Sequence, residues 1–249
     1  MNKMTNRNRF FAGLLVAAAS STAFALPALA GPKAVIELFT SQGCSSCPPA
    51  DAYLAELAER EDVIALSIHV DYWDYIGWKD TFAKPEFSLR QRAYAKARGD
   101  GRVYTPQIVV NGQDHHVGSS RRSIERAVGA AELPLEVKVT ESDGALHITI
   151  PDTSGLTGEH TTVRLVTYSS AATVDIQRGE NRGETITYHN VVRSMRPIGM
   201  WEGKQMEITL PVHEIMGKDI SGCVVLVQED TERGPGRILG AAELPWPGS

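Results

Sequence analysis

Two patterns of apolar positions divide the chain. Between Ala34 and Val128, short apolar runs alternate with stretches of helical spacing. Ala34 to Phe39 reads as a buried strand interrupted by Glu37. Pro48 and Pro49 suit a first helical turn, where a missing N–H costs nothing. Ala50, Leu54, Leu57 and Ala58 then recur on one face up to Arg60. Val63 to Val70 predicts a second strand, Pro85 to Arg98 a helix stopped by Gly99, and Gln107 to Val110 a third strand. Asn111-Gly112 signals a tight hairpin into a return strand at His115 to Val117. Ser119 or Ser120 caps a last helix carrying Ile124, Ala127 and Val128. Helical crossovers imply parallel pairing of the first two strands, and the hairpin implies antiparallel pairing of the last two.

From about residue 133 the period changes from helical to strict alternation. Leu135, Val137 and Val139 alternate with Glu136, Lys138 and Thr140, and Asp143-Gly144 makes a turn into Leu146, Ile148 and Ile150. Further strands are predicted near 161–169, 184–194, 205–210, 223–229 and 237–243. The expected organisation is an α/β domain over residues 31–132 and an all-β, sandwich-like domain over 133–249, meeting near Glu132-Leu133-Pro134.

Charge changes this picture at the N-terminus. Residues 1–30 hold Lys3, Arg7 and Arg9, no acid, an apolar core from Phe10 to Ala19, and Ala28-Leu29-Ala30 ahead of Gly31. This is the pattern of a cleaved secretion signal, and without a twin-arginine pair it predicts the general secretory route and a periplasmic or secreted protein. Without this segment 22 bases face 30 acids, a charge of −8. Such an acidic chain argues against nucleic-acid or anionic-membrane partners. No later stretch has the ~18 apolar residues of a membrane span.

All three cysteines lie beyond the signal, and Cys44-Ser45-Ser46-Cys47 stands at a strand-to-helix turn. Two intervening residues give this pair a mechanism. A helix N-terminus stabilises a thiolate at Cys44, which attacks a disulfide, and Cys47 is close enough to resolve the mixed disulfide. An inert structural disulfide and metal binding are the competing explanations. Cys223 lies in the apolar run Gly222 to Val227 and reads as a free core cysteine.

The order of elements, the Cys44–Cys47 pair and Thr105-Pro106 before the third strand together resemble the thioredoxin fold. More closely, Glu37 through Asp51, with its Cys-Ser-Ser-Cys-Pro-Pro-Ala-Asp run, is similar to the signature of a family of exported, thioredoxin-like bacterial proteins of unknown function. His69 through Asp74, Gly77-Trp78, Arg90-Gln91, Tyr104 through Gln107, Arg178 through Asn181 and His189 through Arg193 match it too. The resemblance implies a thioredoxin-like fold over 31–132, a cis-proline at Pro106 facing the cysteines, and thiol–disulfide exchange without a cofactor on an exported protein substrate or redox partner. Gly43 replaces the tryptophan usual before the first cysteine of thioredoxins, and Ser45-Ser46 replaces Gly-Pro. The direction of exchange is therefore left open.

Topology places Cys44, Asp71 and Pro106 at one sheet edge and Asn111-Gly112 at the opposite end. Thr105 and Pro106 would shape the site. Asp71, Tyr72, Trp73 and Asp74 are candidates to line a groove, and Asp51 or Asp71 to accept the proton of Cys47. For Trp73 and Trp78, core packing is the alternative. His69 adds a second hypothesis, a copper-binding metallochaperone using Cys44, Cys47 and His69, since thiolates favour Cu(I). A third is a non-catalytic binding module with a structural disulfide. His115 and His116 should point to opposite faces of their strand. Arg178, Glu180, His189, Asn190 and Arg193 read either as turn and strand residues or as a polar network between the two halves.

Overall fold

The computed structural model describes Met1 and residues 31–153, 155–156 and 160–246. The expected secretion signal lies outside the described residues. Among the described residues, eleven strands and three α-helices form a mixed α/β protein. In chain order they are β1 (Ala34–Thr40), α1 (Pro48–Ala58), β2 (Val63–His69), α2 (Pro85–Arg98), β3 (Gln107–Val110), β4 (Asp114–Val117) and α3 (Arg121–Ala130). Then follow β5 (Lys138–Ser142), β6 (Ala145–Ile150), β7 (Thr161–Asp175), β8 (Thr185–Met200), β9 (Met206–Pro211), β10 (Gly222–Thr231) and β11 (Gly234–Pro245).

Eight strands make one mixed sheet in the order β11-β10-β7-β8-β2-β1-β3-β4, and β5-β6-β9 make a second, smaller sheet. β1 pairs parallel with β2 and antiparallel with β3. β3 and β4 are joined at Asn111 and Gly112, both at positive φ, with Gln113 N–H donating to the Val110 carbonyl. Four strands from beyond residue 133 extend the sheet of the first half, so the large sheet runs across the boundary expected near 132. The joint is narrow. β2 and β8 share one bridge, Ser67 with Val191, supported by Asn190 Nδ2 donating to the Ala65 carbonyl at 3.0 Å. Leu135 and Val137, expected in the first strand of the second half, precede β5; Leu135 N–H instead donates to the Leu239 carbonyl.

Alternation decides which layer each strand residue enters. On β1, Val35 and Phe39 face a cluster with Phe87 and Tyr94 of α2, while Ile36 and Leu38 face Leu54 of α1 and Ile124 of α3. Buried on both faces, β1 reads as an unbroken apolar run rather than an alternating one. On β10, Val224 and Leu226 join the α2 cluster, whereas Val225 and Val227 meet Leu146, Ile148 and Ile150 of the small sheet. Each such Val or Leu contributes roughly 1.5–3 kcal/mol.

Glu37 interrupts the β1 run and is fully buried. Its carboxylate accepts from Arg90 Nε at 2.6 Å and from Tyr94 Oη at 2.5 Å. Gln228 of β10 completes the group, accepting from Arg90 Nη2 at 3.0 Å and donating to Tyr94 Oη at 2.8 Å. A buried pair satisfied this fully ties β1, α2 and β10 together.

Candidate functional site

The cysteine turn follows β1 directly. Cys44 and Cys47 are joined by a disulfide, and neither exposes surface to solvent, although Ser45 and Ser46 between them are exposed. α1 starts at Pro48 with Cys47 as its N-cap, so Cys44 lies ahead of the helix rather than at its open N-terminus. The physical reason is the proline pair at the helix start. Pro48 and Pro49 have no N–H, and the Ala50 and Asp51 N–H groups both donate to the Cys47 carbonyl. The Cys44 sulfur has a local polar neighbour, the Ser46 hydroxyl at 3.4 Å.

The segment before β3 meets this turn. The Ser46 hydroxyl donates to the Thr105 carbonyl at 3.5 Å, and Thr105-Pro106 is a cis peptide. Trp73 Nε1 donates to the Thr105 hydroxyl at 2.8 Å. Pro106 is buried, and its carbonyl accepts from Gly118 N–H at 2.9 Å. A Cβ on Gly118 would lie 2.8 Å from Ala50 Cβ and 2.9 Å from Pro106 Cβ. Gly118, which sequence reading passed over, thus lets the first turn of α1 close onto Pro106. Gly118→Ala is expected to cost about 1–3 kcal/mol through this overpacking. Urea unfolding of the oxidised protein checks it, and an unchanged midpoint would refute it.

The loop after β2 divides its residues. Trp73 lies against Gly43, where an added Cβ would stand 3.2 Å from Trp73 Cβ. Tyr72 donates to Gln91 Oε1 at 3.1 Å, and burial pushes its phenol up to about 12. Asp71 is held by α2: its N–H donates to Ser88 Oγ at 3.1 Å, and the Ser88 hydroxyl donates back to its carboxylate. Asp74 accepts from the Asp80 N–H, and burial raises its carboxyl above the usual range. Trp78 is half-buried and donates from Nε1 to Gln42 Oε1 at 2.8 Å.

Asp51 is buried in the first turn of α1. It follows Cys47 by one helical turn, on the same face of α1. Thr40 Oγ1 donates to its Oδ1 at 2.8 Å, and its Oδ2 has no hydrogen-bond partner. Burial pushes its carboxyl up to about 7, against the opposing pull of His69. His69 is fully buried, with Nδ1 2.8 Å from Asp80 Oδ2, and its ring meets Tyr188 of β8 edge-on at 4.7 Å. Burial works against the Asp80 carboxylate, but His69 and the Gln42 and Phe82 N–H groups outweigh it and hold Asp80 below its ordinary value. Tyr188 Oη and His69 Nε2 are buried without partners, and burial raises the Tyr188 phenol strongly. His69 thus meets Asp80. Among the described residues no three His, Cys, Asp or Glu side chains gather as a metal-holding group.

The second half reaches the site through the loop between β7 and β8. Asn181 Nδ2 donates to the Gln42 carbonyl at 2.9 Å and to the Cys44 carbonyl at 3.0 Å. Glu180 accepts from the Ser45 N–H at 3.3 Å. Of the other polar residues singled out there, Arg193 lies 5.1 Å over the Phe82 ring and Asn190 bonds β2. Each contacts the first half separately. Further away, His115 Nε2 meets Asp100 at 3.0 Å and His116 Nδ1 meets Ser123 at 2.8 Å, on different sides of β4. Cys223 is free and buried, and burial pushes its thiol up to about 12.

An α/β chain with a large mixed sheet and a disulfide at the first strand-to-helix turn defines the class. The family described as "Protein of unknown function (DUF1223)" matches residues 35–228, and the chain belongs to it. It is similar to the crystal structure of protein AGR_C_4864 from Agrobacterium tumefaciens, at 35% identity and a TM-score of 0.80, over 89% of this chain and 98% of that one. HBP35 of Porphyromonas gingivalis is similar in fold at 15% identity and a TM-score of 0.60, over 88% of this chain and 76% of that one. No curated protein matches the chain.

Proposed function

We propose that residues 31–132 are a thioredoxin-like unit and that Cys44 and Cys47 are a thiol–disulfide exchange couple acting on exported proteins. One juxtaposition carries this reading: a disulfide at the end of β1 faces the Thr105-Pro106 segment, with buried Asp51 one turn behind Cys47. The parallel β1–β2 pair and the antiparallel β3 support the fold assignment.

In the reaction, a thiolate attacks the disulfide sulfur of Cys44, the S–S electron pair departs with Cys47, and a proton joins the Cys47 thiolate. Asp51 is placed to hold that proton, since a carboxyl titrating near 7 both gives and takes protons at neutral pH. The reverse sequence oxidises a substrate dithiol, and neither direction needs a cofactor. Trp73 and Thr105 form the wall on which a substrate segment would lie. The strands beyond 133 would select the partner. Secretion by a cleaved signal places the couple where disulfides persist.

The complete burial of both sulfurs favours a second reading, a structural disulfide in a binding module. The reduction potential separates the two. It is measured by equilibration in graded glutathione buffers with Cys223→Ala as control. A value between about −270 and −120 mV is expected for an exchange couple, and one below about −300 mV would assign the pair a structural role.

A further inference from the structure

Exchange at Cys44 requires an incoming sulfur to approach in line with the S–S bond. In the oxidised protein neither sulfur offers any surface for that approach. The backbone of the cysteine turn is bonded from more than 130 residues away, by the tip of the β7–β8 hairpin. Three successive residues there hold the cysteine turn and its surroundings. Gly179, at φ +82°, sits where an added Cβ would be 3.1 Å from Trp78 Cβ. Glu180 accepts from Ser45 N–H, and Asn181 donates to the carbonyls of Gln42 and Cys44. Asn181 is buried, whereas Arg178, Glu180, Arg182, Gly183 and Glu184 around it are exposed.

The composition of this tip matters. From Gln177 to Glu184 it carries no apolar side chain. Its seat on the cysteine turn is made of hydrogen bonds that water can replace. Lifting it pulls no apolar side chain of the tip itself out of a core, which favours a segment that opens without unfolding its surroundings. The hairpin below stays closed on its own, through Ile176 N–H to the Glu184 carbonyl and Gly183 N–H to the Ile176 carbonyl.

We propose that Asn181 is a positioning residue that seats this tip over the disulfide, so that release of Asn181 gates access to Cys44. The proposal rests on the exchange reading above. It makes the second half part of the site: a partner that displaces Asn181 from the two carbonyls opens the disulfide, and thiols that meet the closed form do not react. Asn181 acts through the loop and touches no reacting sulfur in the step.

The test is the rate at which dithiothreitol reduces the oxidised protein in a Cys223→Ala background, beside the equilibrium constant of the same reaction. A dithiothreitol thiolate attacks Cys44 and expels Cys47. Its second thiol then closes the cyclic disulfide and expels Cys44, moving two electrons to the protein. Asn181→Ala removes both hydrogen bonds. Asn181→Asp keeps the size but places an acceptor against two carbonyl oxygens, so it serves as the control for lost packing. Both variants are expected to react at least tenfold faster, with the equilibrium constant moving less than threefold. Unchanged rates overturn the gate and leave the exchange reading standing. Acceleration matched by an equal change in the equilibrium constant also overturns it, because Asn181 would then stabilise the disulfide itself. If wild type and variants all resist reduction when folded yet are reduced in denaturant, the gate and the exchange reading fall together.

Discussion

Cys44→Ser is expected to reduce thiol–disulfide exchange to the uncatalysed background, and Cys47→Ser to arrest it half-way. The asymmetry follows from position. Cys47 caps α1 one helical turn before buried Asp51, so its proton has a carboxyl on the same helix face to receive it. Cys44 lies in the turn ahead of the helix, between exposed Ser45 and the loop of Asn181, with the Ser46 hydroxyl 3.4 Å from its sulfur. A hydroxyl there can donate to a thiolate and favour the charged form. With glutathione disulfide as probe, Cys47→Ser should accumulate a mixed disulfide on Cys44, because no second thiol is near to resolve it. Peptide mass mapping reads the adduct. An adduct forming in Cys44→Ser but not in Cys47→Ser would reverse the two roles. Wild-type exchange that survives both substitutions would remove the pair from the chemistry.

Asp51→Asn carries the largest expected effect on stability, and it depends on pH. An unfolded aspartate titrates near 3.9, whereas burial pushes the folded Asp51 carboxyl up to about 7. Below the lower value both states hold the proton and the group is neutral in its effect. As pH rises, the unfolded chain releases the proton first, so folding loses stability progressively up to the folded value. The loss levels off above pH 7, at about 4 kcal/mol. The groups facing Asp51 are Thr40, which favours the charged form, His69, which pulls the same way, and Asp80, which opposes them. Asparagine keeps the Thr40 hydrogen bond and cannot ionise. The variant should therefore match wild type near pH 4 and exceed it by up to about 4 kcal/mol at pH 8. Urea unfolding of the oxidised proteins at both pH values measures this, and parallel wild-type and variant curves would count against a buried, neutral Asp51. In the exchange reaction the same variant should be slower, since the amide cannot take the Cys47 proton. A more stable, less active variant is the signature of a residue held for chemistry.

What the sequence made legible was local. α1 and α2 announced themselves by spacing, by Pro48 and Pro85 at their starts and by Gly99 after the second. The Asn111-Gly112 and Asp143-Gly144 turns both adopt positive φ, and only their residue types were needed to place them. The meeting of the cysteine turn with Thr105 followed from strand directions together with the family resemblance. The missing parts are long-range. Asp80 sits in an irregular segment with no periodicity, and only the fold shows it against His69. Asn181 and Tyr188 reach the site from the far half, and no local signal marks a strand such as β8 that will join β2 through one bridge. The copper hypothesis sets His69 beside the two sulfurs, whereas its hydrogen-bond partner in the structure is the Asp80 carboxylate. α1 starts at Pro48 as its prolines predict, but Cys44 stands outside the helix, because the prolines that permit that start also lack the N–H groups expected to reach its sulfur.

Asn111 at the far end of the sheet has a consequence for how the chain is made. Its Oδ1 accepts from Val35 N–H, its Nδ2 donates to the carbonyls of Lys33 and Glu132, and its carbonyl accepts from Ile238 N–H on the last strand. Gln228, also late in the chain, closes the buried Arg90–Glu37 group. Synthesis from the N-terminus delivers both cysteines long before either of these partners. During that interval Cys44 and Cys47 belong to an incomplete sheet whose buried charges are still open to water. Synthesis order therefore separates the arrival of the sulfurs from the completion of the scaffold that holds them, and the pairing of β11 is the event that finishes it.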